Sequence, residues 1–241
     1  MSKERSRDNV SLKHEFRRWD LFNIPPVFSP KDMSHYYVII DFECTCWSRG
    51  GMDDPLTPAH EIIEFPAVFL NSETLEIDFE FHSYVRPTED PVLTEFCTEL
   101  TGINQSTVSE SSDLKIVLAD FRRFLQFNSI TSFTVCADGP WDFEKFLYPE
   151  CTRKGIPYPE WADKWIDVRK KFAEAFGFEK WVGVNDMLEY LELEFEGRPH
   201  SGIDDARNIA RIMKALHNFL DKKRVRPNRK ITAHRNQKKK K

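Results

Sequence analysis

Apolar residues along this chain form short runs whose spacing predicts alternating strands and helices. The first run, HYYVIIDFE at 35–43, is β-branched and aromatic with no polar break until Asp41, which is typical of a central strand buried on both faces. EIIEFPAVFLN at 61–71 and TLEIDFEFHSYVRP at 74–87 predict two further strands. Because a short polar turn joins these last two, the three strands are predicted to form a meander.

Helices are predicted where apolar positions recur every three or four residues, as they do in DLKIVLADFRRFLQFN at 113–128. The other predicted helices are 91–103, 141–155 (ended by Gly155), 184–192 and 204–220. SFTVCAD at 132–138 and WIDV at 165–168 predict two more strands. The order β-β-β-α-β-α-β-α predicts an α/β fold in which helices flank a mixed sheet.

Charge is distributed unevenly and predicts three segments. Residues 1–34 are charged and then proline-punctuated, which indicates an irregular lead-in to a single domain at 35–220. Residues 221–241 hold 11 Lys or Arg and one Asp, which leaves 24 basic and 38 acidic residues, a formal charge of −14, in the rest of the chain. This basic tail is predicted to be disordered; nucleic-acid contact and nuclear import are alternative roles for it.

Several classes of protein are not supported by the composition. No segment approaches the roughly 18 continuous apolar residues of a membrane span, so no membrane association is expected. The first twenty residues lack the apolar core of a secretory signal. Five scattered cysteines fit reduced thiols better than a disulfide framework. The expected location is therefore the cytosol or the nucleus.

Acidic residues follow two of the predicted strands. Asp41 and Glu43 lie two positions apart, so a strand places their side chains on the same face. Asp138 ends the strand SFTVCAD as Asp41 ends its own, and α/β sheets place ligand sites at the ends of neighbouring strands. Ionised carboxylates at a buried strand end are disfavoured unless they are paired or bound to a metal, and residues 35–43 contain no Lys or Arg.

A second cluster of polar residues lies in RPHSGIDDARNIARIM, where Asp204 and Asp205 open a predicted helix and His200 precedes it. Taken singly, these aspartates fit helix caps or dipole partners, Asp138 fits a turn residue and His200 fits an ordinary surface position. In combination, several carboxylates favour magnesium or manganese, which phosphoryl-transfer enzymes hold as two ions about 4 Å apart. His200 suits proton transfer from water.

Five motifs in order resemble those of one known family. They are DFECTC with Asp41 and Glu43, EFPAVFLN, FCTELTGI, ADGPWDFEKFL with Asp138, and GRPHSGIDDARNIARI with His200 and Asp205. Over roughly 35–218 the chain resembles the DEDDh exonucleases of the ribonuclease-H-like fold. Within them it is similar to the enhanced-RNAi and three-prime histone-mRNA exonuclease subfamily, as a short member without the SAP domain.

The resemblance implies a fold, a reaction and roles for particular residues. The fold is an α/β ribonuclease-H-like mixed sheet flanked by helices, and the reaction is 3′–5′ removal of nucleoside 5′-monophosphates from RNA 3′ ends, with DNA as a further substrate. Two Mg²⁺ ions, for which Mn²⁺ could substitute, would be held by four carboxylates, with His200 as the general base. The implied ligands are Asp41, Glu43, Asp138 and Asp205. The implied terminal-nucleotide pocket consists of Phe42, Phe96, Leu100, Thr101 and Trp141.

Two alternatives remain open beside an RNA-directed exonuclease. One keeps the chemistry but makes DNA the main substrate. The other is a nucleic-acid-binding adaptor that has lost activity, and the presence of all five catalytic residue types argues against it. Protein partners are not predicted by the sequence.

Overall fold

The computed structural model describes residues 36–48 and 58–225. The predicted lead-in at 1–34, most of the loop before His60 and the part of the predicted basic tail beyond 225 lie outside the described residues. Helix formation continues as far as Val225, past the predicted domain boundary at 220.

One mixed sheet of six strands forms the centre of the described residues. Its strands are β1 (Tyr36–Ile40), β2 (Glu43–Cys44), β3 (Ile62–Asn71), β4 (Ile77–Tyr84), β5 (Phe133–Ala137) and β6 (Trp165–Asp167). The order across the sheet is β2-β3-β1-β5-β6, and β4 also pairs with β3. β3 runs antiparallel to β1 and β4, whereas β5 runs parallel to β1 and β6. The predicted fold class, a mixed sheet flanked by helices, is confirmed, as is the meander of β1, β3 and β4.

The first predicted strand is interrupted at its acidic end. β1 stops at Ile40, and the chain resumes pairing with β3 at Glu43, in β2. Ile40 pairs with Ala67 and Glu43 pairs with Glu64, so the register on β3 is the same from Ile40 to Glu43 and shifts at Cys44, which pairs with Ile62. The alternation of faces therefore continues through the interruption, as the sequence predicts.

Seven α-helices surround the sheet in the described residues. They are α1 (Glu95–Thr101), α2 (Gln105–Ser109), α3 (Leu114–Phe127), α4 (Tyr148–Lys154), α5 (Val168–Phe176), α6 (Val184–Tyr190) and α7 (Gly202–Val225). A π-helical segment, Trp141–Leu147, leads into α4. α1 begins later than the predicted 91–103 because Thr94 caps it, accepting a hydrogen bond from the Cys97 N–H. No helix of the described chain has both the length and the apolar content of a membrane span.

Two apolar layers cover the two faces of the sheet. Val38 and Ile40 of β1 pack on one face with residues of α3 and of the π-helical segment. Tyr37 and Ile39 pack on the other face with α5, α6 and α7. Because side chains alternate along the strand, Asp41 follows Tyr37 and Ile39 onto the α7 face. The fold therefore directs this carboxylate toward the helix that carries Asp205.

A buried carboxylate fixes the loop that leads into α1. Glu61 is fully buried and accepts hydrogen bonds from the backbone N–H groups of Thr88 (2.6 Å), Glu89 and Asp90 (2.8 Å), as well as from Lys154 Nζ at 2.5 Å. Burial acts to raise the pKa of Glu61, but these donors outweigh it and lower the pKa below its ordinary value. Glu61 thus remains ionised and holds the loop through its backbone.

Candidate active site

Three carboxylates converge where β1 ends and α7 begins. One oxygen from each of Asp41, Glu43 and Asp205 lies within 4.8 Å of the others. Asp41 and Glu43 come from the interrupted strand, and Asp205 comes from the first turn of α7. The structure thus brings together three of the four carboxylates that the sequence suggested as metal ligands.

A glycine and a buried glutamate bring α7 to this position. The N–H groups of Gly202 and Ile203 donate to the Glu64 carboxylate at 3.0 and 3.2 Å, which satisfies two of the free donors at the start of the helix. Glu64 is 1% exposed and also contacts His82 Nε2 at 2.8 Å. Sequence reasoning missed Glu64, because the two N–H groups of α7 that it binds are about 140 residues away in the chain.

Gly202 has no room for a side chain. A Cβ atom at this position would lie 2.5 Å from the backbone oxygen of Asp41 and 3.1 Å from Pro66 Cγ. We expect Gly202→Ala to destabilise the fold by about 1–3 kcal/mol, because α7 must move away from the strand. It should also lower metal affinity, since Asp205 moves with the helix. Thermal unfolding with and without a divalent cation measures both effects.

Gly183 provides a matched control for that substitution. Its backbone is extended, and a Cβ atom there would find its nearest neighbour, an Asp186 oxygen, at 4.0 Å. Gly183→Ala should leave the melting temperature within a degree or two. Equal melting temperatures for Gly202→Ala and the wild type would contradict the close-approach argument.

Asp138 lies in the same cleft but is paired with a cation. Arg169, in the first turn of α5, donates from Nε and Nη2 to the two Asp138 oxygens, both at 2.5 Å. Burial raises the pKa of Asp138, although the Arg169 guanidinium acts in the opposite direction. Asp138 is outside the group of three carboxylates that lie within 4.8 Å of one another. Its role as a metal ligand stays a prediction, and Arg169 is a cleft residue that sequence reasoning missed.

A fifth acidic residue, Asp142, holds the backbone between Asp41 and Glu43. Its Oδ1 atom accepts the Phe42 N–H at 2.7 Å, and its side chain is buried in the π-helical segment. Burial raises the pKa of Asp142 to about 7 despite that hydrogen bond. Sequence reasoning missed Asp142; the signal that could have found it is an acid placed among the apolar residues of WDFEKFL.

The carboxylate cluster has an excess of negative charge. Burial, with a further contribution from Glu64 and Asp205, raises the pKa of Glu43 to about 9. Burial also raises the pKa of Asp205 to about 7, and it raises the pKa of Asp41 well above the ordinary range, with Asp142 the next largest cause. Crowded, partly desolvated oxygen donors of this kind are the ligands that hard divalent cations prefer. The residues present therefore fit a divalent metal site.

His200 lies on the open side of the cleft, on the loop before α7. Its backbone is left-handed, with φ of 61°, which is uncommon for a residue other than glycine. In this conformation its N–H donates to the Asp205 carboxylate. The imidazole is exposed and lines the cleft beside the cluster. The structure thus places His200 beside the cluster of Asp41, Glu43 and Asp205, as the sequence suggested.

Two hydrogen bonds made by Arg198 hold the loop that carries His200. Asp204 Oδ2 accepts the Arg198 N–H at 2.9 Å, and the Arg198 guanidinium donates to the Glu99 carbonyl at 2.8 Å. The other Asp204 oxygen accepts from Arg207 Nη1 at 3.0 Å, so Asp204 binds these two arginines while its neighbour Asp205 joins the carboxylate cluster. The bond from Arg198 to Glu99 connects the His200 loop to the C-terminal end of α1.

The cleft has a volume of about 620 Å³ and includes some of the residues suggested for substrate binding. Phe42, Leu100 and Trp141 line it. Two other candidates do not line it in the described part of the chain. Thr101 is buried and ends α1, where its hydroxyl donates to the Cys97 carbonyl at 2.8 Å. Phe96 is 37% exposed outside the cleft. For both, a direct place in the nucleotide pocket stays a prediction.

Comparison with known proteins identifies relatives that match most of the chain. Residues 38–213 match the family model described as Exonuclease (RNase_T). The chain is 40% identical over 206 residues to ERI1 exoribonuclease 3 of Homo sapiens, covering 82% of this chain and 59% of that protein. It is 39% identical over 202 residues to 3′-5′ exoribonuclease 1 of Homo sapiens, covering 82% and 56%. It spans 28% to 59% of the length of the first curated relatives that it matches.

Solved structures give the same result. The nuclease domain of 3′hExo, a DEDDh family member bound to rAMP, superposes with a TM-score of 0.70 at 38% identity, covering 77% of this chain and 93% of that one. A 3′-exonuclease structure that describes 3′-end specific recognition of histone mRNA stem-loop also has a TM-score of 0.70 at 38% identity, covering 77% and 82%. The fold just described therefore has counterparts among the solved structures of nucleases.

Proposed function

Because this chain belongs to the exonuclease family whose model matches residues 38–213, we propose that it is a metal-dependent 3′–5′ exonuclease that acts on RNA. The observation that supports this most directly is the convergence of Asp41, Glu43 and Asp205 in a cleft with His200 beside them. RNA is favoured over DNA as the substrate because the relatives are named exoribonucleases and one structural counterpart holds rAMP. The products would be nucleoside 5′-monophosphates released one at a time from the 3′ end.

The family uses divalent metal ions, and the carboxylate cluster suits them. Asp41, Glu43 and Asp205 would hold the metal, and we propose Mg²⁺ as two ions, with Asp138 as the fourth ligand and Mn²⁺ able to substitute. Bound there, the ions would lower the pKa of the attacking water and stabilise charge on the scissile phosphate.

The remaining roles follow from where the side chains lie. His200 stands on the open side of the cleft, where its imidazole can accept the proton of the attacking water. Leu100 and Trp141 line the part of the cleft that would hold the terminal nucleotide. Trp141 is 37% exposed, so part of its indole is available to stack on a base. Stacking accepts every base, which predicts low sequence preference.

Arg169 contributes positive charge to a cleft that is also lined by six acidic residues. Its guanidinium binds both oxygens of Asp138, a geometry that also suits phosphate oxygens. The same group can therefore pair with Asp138 in the free protein and lie near the substrate phosphate in the complex. The positive charge of Arg169 would partly offset the repulsion between the cluster and the RNA backbone.

Digestion of single-stranded RNA tests the proposal. A 5′-labelled RNA and a DNA of the same sequence are incubated with the protein in Mg²⁺ or in EDTA. We expect a ladder that shortens from the 3′ end of the RNA and disappears in EDTA. Faster digestion of the DNA would support the DNA-directed alternative. Absence of cleavage of both by folded protein would support a binding adaptor instead.

Metal affinity should depend on pH because the cluster holds protons near neutrality. The pKa of Asp205 is raised to about 7 and that of Glu43 to about 9, so a cation must displace protons from the folded protein below these values. Mg²⁺ affinity should therefore rise between pH 6 and pH 9, by up to about tenfold per pH unit for each proton displaced. Calorimetric titration in two buffers of different ionisation heat counts those protons. A pH-independent affinity without proton release would contradict the pKa shifts.

A further inference from the structure

Arg198 lies two residues before His200 in the motif GRPHSG, and the proposed mechanism gives this arginine no role. Residues 196–200 are all exposed, so apolar packing contributes little to the position of this segment. The place of the His200 imidazole in the cleft therefore depends on the hydrogen bonds that the segment makes.

The chain from Arg198 to Ser201 forms a tight turn with His200 inside it. The Ser201 N–H donates to the Arg198 carbonyl at 3.2 Å, Pro199 follows Arg198, and His200 has a φ of 61°. Proline at the second position and a positive φ at the third are typical of a type II turn. The turn leads directly into α7, where the Asp205 N–H donates to the Ser201 carbonyl at 2.8 Å. Backbone hydrogen bonds thus fix the α7 side of the turn.

The Arg198 guanidinium fixes the other side of the turn. Its Nη2 atom donates at 2.8 Å to the Glu99 carbonyl, which lies in the last turn of α1. In a longer helix this carbonyl would accept the Ile103 N–H, but that N–H donates to the Thr101 hydroxyl oxygen at 3.1 Å. α1 has no basic residue in its last turn, so Arg198 also supplies the positive charge that a helix C terminus favours.

Gly102 leaves the space that the guanidinium occupies. It ends α1 with a φ of 76°, and a Cβ atom there would lie 2.6 Å from Arg198 Nη1 and 2.9 Å from Arg198 Cζ. The guanidinium therefore lies directly against the end of the helix. α1 is itself held in place, because Cys97 is fully buried and Thr94 caps the first turn. The helix is thus a fixed support for the exposed turn.

We propose that Arg198 is a positioning residue for His200, an inference that rests on the proposed exonuclease function. Its guanidinium holds the turn at 198–201 against α1, whose Leu100 lines the same cleft as His200. The imidazole is thereby held at one distance from the nucleotide wall and from the carboxylate cluster. Arg198 acts through His200 and does not contact the RNA.

Arg198→Met tests this role, because methionine keeps much of the aliphatic stem and removes the guanidinium. We expect kcat for RNA cleavage to fall about 10- to 100-fold, since displacement of a catalytic group by about 1 Å has an effect of that size. The KM for RNA and the Mg²⁺-dependent rise in melting temperature should not change. An unchanged kcat would overturn the proposal. A higher KM as the only effect would also overturn it, because it would show that Arg198 binds the RNA directly.

Gly102→Ala displaces the same guanidinium without removing it. Gly177, which ends α5 with the same φ of 76°, is the matched control, because a Cβ atom there would find no atom within 4 Å. Both substitutions place alanine in a left-handed backbone, so both should lower the melting temperature by a similar few degrees. Only Gly102→Ala should also lower kcat. Equal kcat values for the two glycine variants would overturn the proposal.

A double-mutant cycle with His200 separates positioning from a general structural role. In the His200→Asn background, Arg198→Met should reduce kcat no further, because the group that it positions is absent. A further loss as large as that in the wild type would overturn the proposal.

NMR of the imidazole gives a readout that needs no turnover. The His200 signals, identified by their absence in His200→Asn, should move in Arg198→Met and stay in place in Gly177→Ala. Unchanged His200 signals in Arg198→Met would overturn the proposal. Intact RNA after incubation with the wild type in Mg²⁺ would instead contradict the exonuclease function, so the two failures are distinguishable.

Discussion

Asp41→Asn is expected to lower the rate of RNA cleavage at least about 1,000-fold, because removal of one cluster carboxylate weakens the metal site and several kcal/mol of transition-state stabilisation depend on it. The same substitution should make the metal-free protein more stable. Burial, together with Asp142, Asp205 and Glu43, raises the folded-state pKa of Asp41 above its unfolded value. Ionisation of such a group therefore destabilises the fold as the pH rises above about 4, and Asn carries no such charge.

Two measurements separate these effects. In EDTA at pH 8, the melting temperature of Asp41→Asn should exceed that of the wild type. In Mg²⁺, the wild type should gain stability while the variant gains little, because a bound cation stabilises only the state that binds it. A variant that melts below the wild type in EDTA would show that Asp41 has a structural role that the described contacts do not include.

His200→Asn is expected to reduce kcat about 10²- to 10⁴-fold while leaving metal binding intact, since the imidazole is lost and the carboxylate cluster is not. Asparagine is the suitable replacement because it tolerates the left-handed backbone that His200 adopts. The backbone N–H that donates to Asp205 is then retained. Single-turnover cleavage at saturating RNA gives the rate, and the Mg²⁺-dependent rise in melting temperature gives the metal binding.

The two variants distinguish loss of the base from loss of the metal. Asp41→Asn should lose both cleavage and Mg²⁺-dependent stabilisation, whereas His200→Asn should lose cleavage alone. Full activity of His200→Asn would exclude the imidazole as the general base. Loss of Mg²⁺-dependent stabilisation in His200→Asn would indicate that the loop, rather than the ring, had been disturbed.

The parts of this protein that could be predicted from sequence are those with a local pattern. β3 is predicted within a residue because its apolar run is buried along its whole length. The placement of Asp41 and Glu43 on one face depends only on their spacing along a strand, and the register on β3, which is unchanged from β1 as far as Glu43, preserves it. His200 and Asp205 could be paired because they flank the start of one helix.

The parts that could not be predicted depend on contacts between distant residues. Arg169 binds Asp138 across 31 residues, and Asp142 binds the Phe42 N–H across 100. Neither pairing leaves a periodic signal, because both depend on how the sheet and its helices pack. Asp142 shows that an acid in the cleft can bind a backbone N–H group. Arg169 shows that a cation in the cleft can pair with an acid that the sequence suggested as a metal ligand.

The hydrogen bonds that Glu61 accepts from backbone N–H groups affect how the cleft can change in evolution. Glu61 holds the N–H groups of 88–90 and makes little use of their side chains, so this loop can accept many substitutions while its path stays the same. The loop leads into α1, which carries Leu100 to the cleft. Relatives could therefore diversify the surface before α1 and keep the wall that faces the nucleotide, provided that the glutamate is retained.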